Sequence, residues 1–165
     1  MSDEIYLGNP LLKKANTSHE FTEEQVIEFI KCKKDPVYFA HNYIKIVSLD
    51  EGLTQFHPYD FQEKLIRNFH EHRFNICKMP RQTGKSTTSV SYLLHYAVFN
   101  DSTNIGILAN KAATARDLLS RLQTAYENLP KWMQQGIISW NKGSLELENG
   151  SKILAASTSA SAVRG

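Results

Sequence analysis

The sequence has only two cysteines, Cys32 and Cys77, and they do not stand at metal-ligand spacing. That argues against a cysteine-built zinc site and fits a reducing compartment. Cys77 lies in an apolar run and is expected to be a small buried hydrophobe. No apolar run reaches the length that crosses a bilayer, and Met1-Ser2-Asp3-Glu4 does not open a secretory signal, so the chain is expected to be soluble and cytoplasmic, with no membrane partner. Neither sign of charge dominates. With 19 Lys and Arg against 17 Asp and Glu, the formal net charge of +2 neither demands nor excludes nucleic acid. Internal repeats and low-complexity tracts are missing. The six histidines show no metal spacing. What remains is 165 residues, 41% of them apolar, enough for one sizeable core.

One glycine is also missing, and its place matters. Residues 79–86 read Met79-Pro80-Arg81-Gln82-Thr83-Gly84-Lys85-Ser86. A phosphate-binding loop runs Gly, four residues, then Gly-Lys-Ser/Thr. Here Met79 holds the first glycine's place. The flanks fit the pattern. Phe74-Asn75-Ile76-Cys77-Lys78-Met79 is a short apolar-rich run, which predicts a strand over 74–79. Val90, Leu93, Leu94, Ala97 and Val98 recur at helical spacing, which predicts a helix to about Phe99. A loop between strand and helix aims free backbone N–H groups and the positive helix end at an anion. Gly84 lets the backbone approach closely. Lys85 can reach β- and γ-phosphates, and the Ser86 hydroxyl can ligate Mg²⁺. The candidate phosphate contacts are therefore Pro80, Arg81, Gln82, Thr83, Gly84, Lys85, Ser86 and Thr87.

Upstream, residues 1–20 lack periodicity and are expected to form a flexible arm. Residues 21–55 read as a helical lead-in. Thr22 and Gln25 are placed for a capping box, and Asp35-Pro36 ends one helix and starts the next. Residues 48–55, with Asp50-Glu51-Gly52, read as a turn or loop. A third helix carries Phe61, Leu65, Ile66 and Phe69. Downstream, Asn104-Ile105-Gly106-Ile107-Leu108-Ala109 predicts a parallel strand buried on both faces. A helix follows over 111–128. The period then becomes two, with short strands near 137–140, 144–147 and 152–155, a small β-meander. Trp140 reads as core or interface packing rather than a base-stacking platform.

Four features in chain order carry a family likeness. They are Tyr59-Asp60-Phe61-Gln62, the variant loop Pro80-Arg81-Gln82-Thr83-Gly84-Lys85-Ser86, Ile107-Leu108-Ala109-Asn110-Lys111-Ala112-Ala113, and Trp140-Asn141-Lys142-Gly143-Ser144 through Asn149-Gly150-Ser151 to Ala162-Val163-Arg164-Gly165. Together they resemble the N-terminal ATPase region of the large terminase subunit of tailed bacteriophages, contractile-tailed type. The likeness covers residues 21–165.

The resemblance implies an α/β fold, a partial RecA-like P-loop NTPase of the helicase-related type. It implies a parallel sheet core, N-terminal helices and a P-loop ATPase domain over 56–165. It implies an ATP- and Mg²⁺-dependent motor that moves double-stranded DNA into a procapsid. The implied partners are the portal protein, the procapsid and the small terminase subunit, with a ring formed on the portal at the procapsid vertex. Gln62 would read the adenine edge, with Phe61 packing near the base. Arg81 would contact the γ-phosphate as an arginine supplied in cis. Lys111 could touch DNA. Arg164 matches a loop arginine whose role lies between DNA contact and coupling. The family's next element, an apolar strand ending in Asp-Glu, is not within these residues, nor is its nuclease domain. The domain is therefore expected to stop before its Walker B strand, and the chain to bind ATP but turn it over poorly. Two other readings use the same features: a helicase-like nucleic-acid translocase fragment, and an inactive fragment that binds nucleotide or partner proteins only.

Overall fold

The computed structural model describes residues 4–48 and 50–158. Two short antiparallel strands, β1 (Ile5–Tyr6) and β2 (Asn9–Lys13), come first. Helix α1 (Glu23–Lys34) starts at the predicted capping box. The Thr22 hydroxyl accepts from Gln25 N at 3.3 Å, and Gln25 Oε1 accepts from Thr22 N at 3.2 Å. Asp35 turns α1 into α2 (Pro36–Tyr43), its carboxylate accepting from Val37 N at 2.9 Å and Tyr38 N at 3.1 Å. The hairpin β3 (Lys45–Ser48) and β4 (Gly52–Gln55) leads into α3 (Asp60–Glu71) and α4 (Lys85–Phe99). Then follow β5 (Asn104–Ala109), α5 (Ala112–Glu127), β6 (Ile137–Trp140), β7 (Ser144–Leu147) and β8 (Lys152–Ser157).

The result is a mixed α/β fold. Its main sheet has four strands in the order β5-β8-β7-β6. Strands β5 and β8 run parallel, and the β6–β7–β8 meander is antiparallel. The expectation of a parallel sheet core holds for that one pair among the described residues. Helix α5 packs on β5 and β8, and α4 packs between α5 and the α2–α3 pair. The core is where these meet. Phe39 and Ala40 enter it from α2, Leu94 and Ala97 from α4, Leu119 and Leu122 from α5, and Leu145, Leu147 and Ile153 from the sheet.

Four expectations change. Residues 74–79 are not a strand; Phe74 and Ile76 are 83% and 100% exposed, and Cys77 is exposed as well. A β-rich run becomes a strand only where another backbone takes up its N–H and C=O groups, and no described strand lies against it. Strand β5 is covered on one face only: Ile107 is buried, whereas Gly106 and Leu108 are exposed. The arm is docked over its described part. Leu12 is buried, and the side-chain amide of Gln134 accepts from Lys13 N at 3.0 Å and donates to Leu11 O at 2.9 Å. Residues 48–55 hold the turn and second strand of the β3–β4 hairpin, with Gly52 at a φ of +70°.

Candidate functional site

The site grows from the junction between the loop at 80–84 and α4. Gly84 is the N-cap of α4 and sits in the left-handed region, at φ +73° and ψ +16°. Gln82 is also left-handed, at φ +63°. The Thr83 hydroxyl donates to Pro80 O at 3.0 Å, and the Thr88 hydroxyl donates to Gly84 O at 3.0 Å. These bonds fold the loop onto the first helical turn. The Lys85 ammonium turns back on the same loop, donating to Met79 O at 3.1 Å and to Pro80 O. Met79, where a glycine was expected, thus contributes its carbonyl as a resting place for the lysine.

The upstream glutamine reaches this loop. Gln62 lies in the first turn of α3 and is buried. Its Oε1 accepts from Tyr59 N at 2.9 Å, and its Nε2 donates to Thr83 O at 3.3 Å. Gly84 is required there twice. Besides its positive φ, a Cβ on Gly84 would stand 2.3 Å from Gln62 Nε2. The missing side chain is what lets α3 and the loop touch.

Around this junction is an open cleft of about 560 Å³. It is lined by Tyr59, Phe61, Gln62, Gln82, Thr83, Gly84 and Thr87, by Ile46, Ser48, Thr54 and Gln55 of the β3–β4 hairpin, and by Phe56 and His57 that follow it. The rings of Tyr59 and Phe61 stack at 5.8 Å and 12°. The structure therefore brings together Phe61, Gln62, Gln82, Thr83, Gly84 and Thr87. Pro80, Arg81, Lys85 and Ser86 belong to the same loop and turn but do not line the cleft; Pro80, Arg81 and Ser86 are exposed. Lys111 is exposed at the N-cap of α5, away from the cleft wall. Arg164 lies outside the described residues. Among the described residues, no group of three His, Cys, Asp or Glu gathers as a metal site would require. Among the described residues, none that lines the cleft is a carboxylate.

Sequence reasoning missed the hairpin wall and Tyr59. The hairpin had a signal: Asp50-Glu51-Gly52 stands between two β-rich pairs, Ile46-Val47 and Leu53-Thr54. Tyr59 had only its closeness to Gln62.

The cleft offers hydrogen-bond donors and a stacked aromatic pair beside a helix N-terminus, while the Lys85 ammonium rests on the adjoining loop. A family model described as the terminase large subunit, T4likevirus-type, N-terminal, matches residues 76–165, more than half of the sequence, and the chain belongs to that family.

Proposed function

We propose that this chain is the nucleotide-binding part of a DNA-packaging terminase large subunit and that it binds ATP with Mg²⁺ in the cleft between α3 and the loop before α4. The observation that carries this reading is the hydrogen bond from Gln62 Nε2 to Thr83 O, which joins a base-reading amide to a phosphate loop. An amide has two N–H donors and two acceptor lone pairs. Gln62 uses one of each within the protein. One donor and one lone pair remain, the pair needed to hold N7 and the 6-amino group of adenine.

The phosphates lie along the loop and the start of α4. Lys85 leaves the carbonyls of Met79 and Pro80 to meet the β- and γ-phosphates. Arg81 stabilises charge on the γ-phosphate, and Ser86 supplies a hydroxyl to Mg²⁺. Phe61 packs beside the base. Among the described residues no carboxylate lines the cleft, so orientation of the attacking water falls to groups other than these. In this reading residues 56–165 are P-loop ATPase domain of RecA-like type, residues 21–55 are its helical lead-in, and Lys111 and Arg164 serve DNA contact or coupling. The working partners are double-stranded DNA, the portal and procapsid, and the small subunit, in a ring built on the portal.

Nucleotide choice tests the adenine part. In a competition titration, GTP has no 6-amino donor for the free lone pair of Gln62 and is expected to bind more weakly than ATP. Equal affinity for ATP and GTP removes Gln62 as the base reader.

A further inference from the structure

Tyr59 is 70% exposed and Phe61 44% exposed, yet their planes lie within 12° of each other on the cleft wall. The same cleft is lined by Ile46, half-buried, the hydroxyl residues Ser48 and Thr54, and Gln55, Phe56 and His57 after them. No lysine or arginine is among the described residues that line the cleft. A flat π face sharing a cleft with an aliphatic group and two hydroxyls suits a heteroaromatic base and its sugar. The backbone N–H of Tyr59 is held by Gln62 Oε1, and the same amide donates to Thr83 O, so one side chain ties the backbone of Tyr59 to the loop.

We propose that Tyr59 is the stacking residue for the nucleotide base. The β3–β4 hairpin is the opposing jaw, with Ile46 against the base and Ser48 and Thr54 towards the ribose hydroxyls. This rests on the nucleotide-binding reading above and adds to it a base grip separate from the phosphate grip at Lys85. Retention of the base then depends on a residue outside the loop.

The test is calorimetric titration of the full chain with Mg²⁺–ADP and, separately, with Mg²⁺–tripolyphosphate, which has phosphates but no base. The proteins are wild type, Tyr59→Ala, Tyr59→Phe and Lys85→Ala. Base–aromatic stacking predicts that Tyr59→Ala weakens ADP about tenfold or more while Tyr59→Phe stays within roughly twofold of wild type. Tripolyphosphate affinity stays the same in all three Tyr59 forms and drops in Lys85→Ala. Unchanged ADP affinity in Tyr59→Ala overturns the proposal, and so does a parallel loss of tripolyphosphate, which would make the ring a structural prop. If wild type shows no Lys85-dependent binding of either probe, the nucleotide-binding reading itself fails, and the stacking role with it.

Discussion

At the scale of single residues, the loop turns on Gly84. Its φ of +73° costs a side-chain-bearing residue about 1 kcal/mol or more, and its Cβ would collide with Gln62. Gly84→Ala is expected to lower the urea midpoint and weaken nucleotide binding together. Gly106→Ala makes a useful control, because that glycine has open space around it and an ordinary φ; its midpoint should stay near wild type. His95 gives a second residue-level prediction. It is buried on α4 against Phe39 and Phe99, with Nε2 2.8 Å from Cys32 O and no partner for Nδ1. Burial, the largest cause, pushes its pKa down to about 4. An unfolded histidine takes up its proton near pH 6.5. Between these values the unfolded chain binds more protons, so stability is full above pH 6.5 and falls as the pH drops towards 4. The whole shift corresponds to about 3 kcal/mol. Urea midpoints of wild type and His95→Phe, compared across that window, should converge or cross as the pH falls; identical slopes would contradict the buried neutral state.

At the scale of elements, the first hairpin shows what the sequence could not convey. Helices α1, α2, α4 and α5 were legible because their caps and apolar spacing are local: Thr22 with Gln25, Asp35 with Pro36, and Val90 to Val98. The β1–β2 hairpin is held from far away in the chain. Gln134 joins Leu11 and Lys13 to the end of α5, donating also to Tyr126 O at 3.3 Å and Leu129 O at 3.0 Å. Nothing near residue 11 announces a partner more than a hundred positions on. The same non-locality explains the opposite error at 74–79, where local β-propensity was present but no described strand lies alongside. Two substitutions test the docking. Gln134→Leu leaves three carbonyls and one N–H without this partner and should cost about 3 kcal/mol or more. Leu12→Ala should cost about 2–4 kcal/mol as a large-to-small change in the core. If urea midpoints barely move in either variant, residues 4–15 are not part of the cooperative unit.

At the scale of the whole molecule, the four-stranded mixed sheet and its helices form a platform, and the cleft is assembled on its α3–α4 side from three separated stretches. The loop beside that cleft was readable, because Gly84-Lys85-Ser86 before a helix is a local pattern with a physical reason. The juxtaposition of Gln62 with that loop is tertiary, and only the family likeness anticipated it. The hairpin jaw was not anticipated at all, since its cleft-facing residues carry no chemistry that their spacing would mark. Membership of the large terminase N-terminal family gives the platform a biological setting, and the cleft geometry gives it a proposed task, gripping ATP. The most direct test of that task is a calorimetric titration of Mg²⁺–ATP into wild type and Lys85→Ala. We expect saturable one-to-one binding in the wild type, weakened about tenfold or more when the ammonium is removed, as for loss of a charge-assisted contact. Equal affinity in the two proteins, or no binding in either, would contradict a phosphate grip at Gly84-Lys85-Ser86.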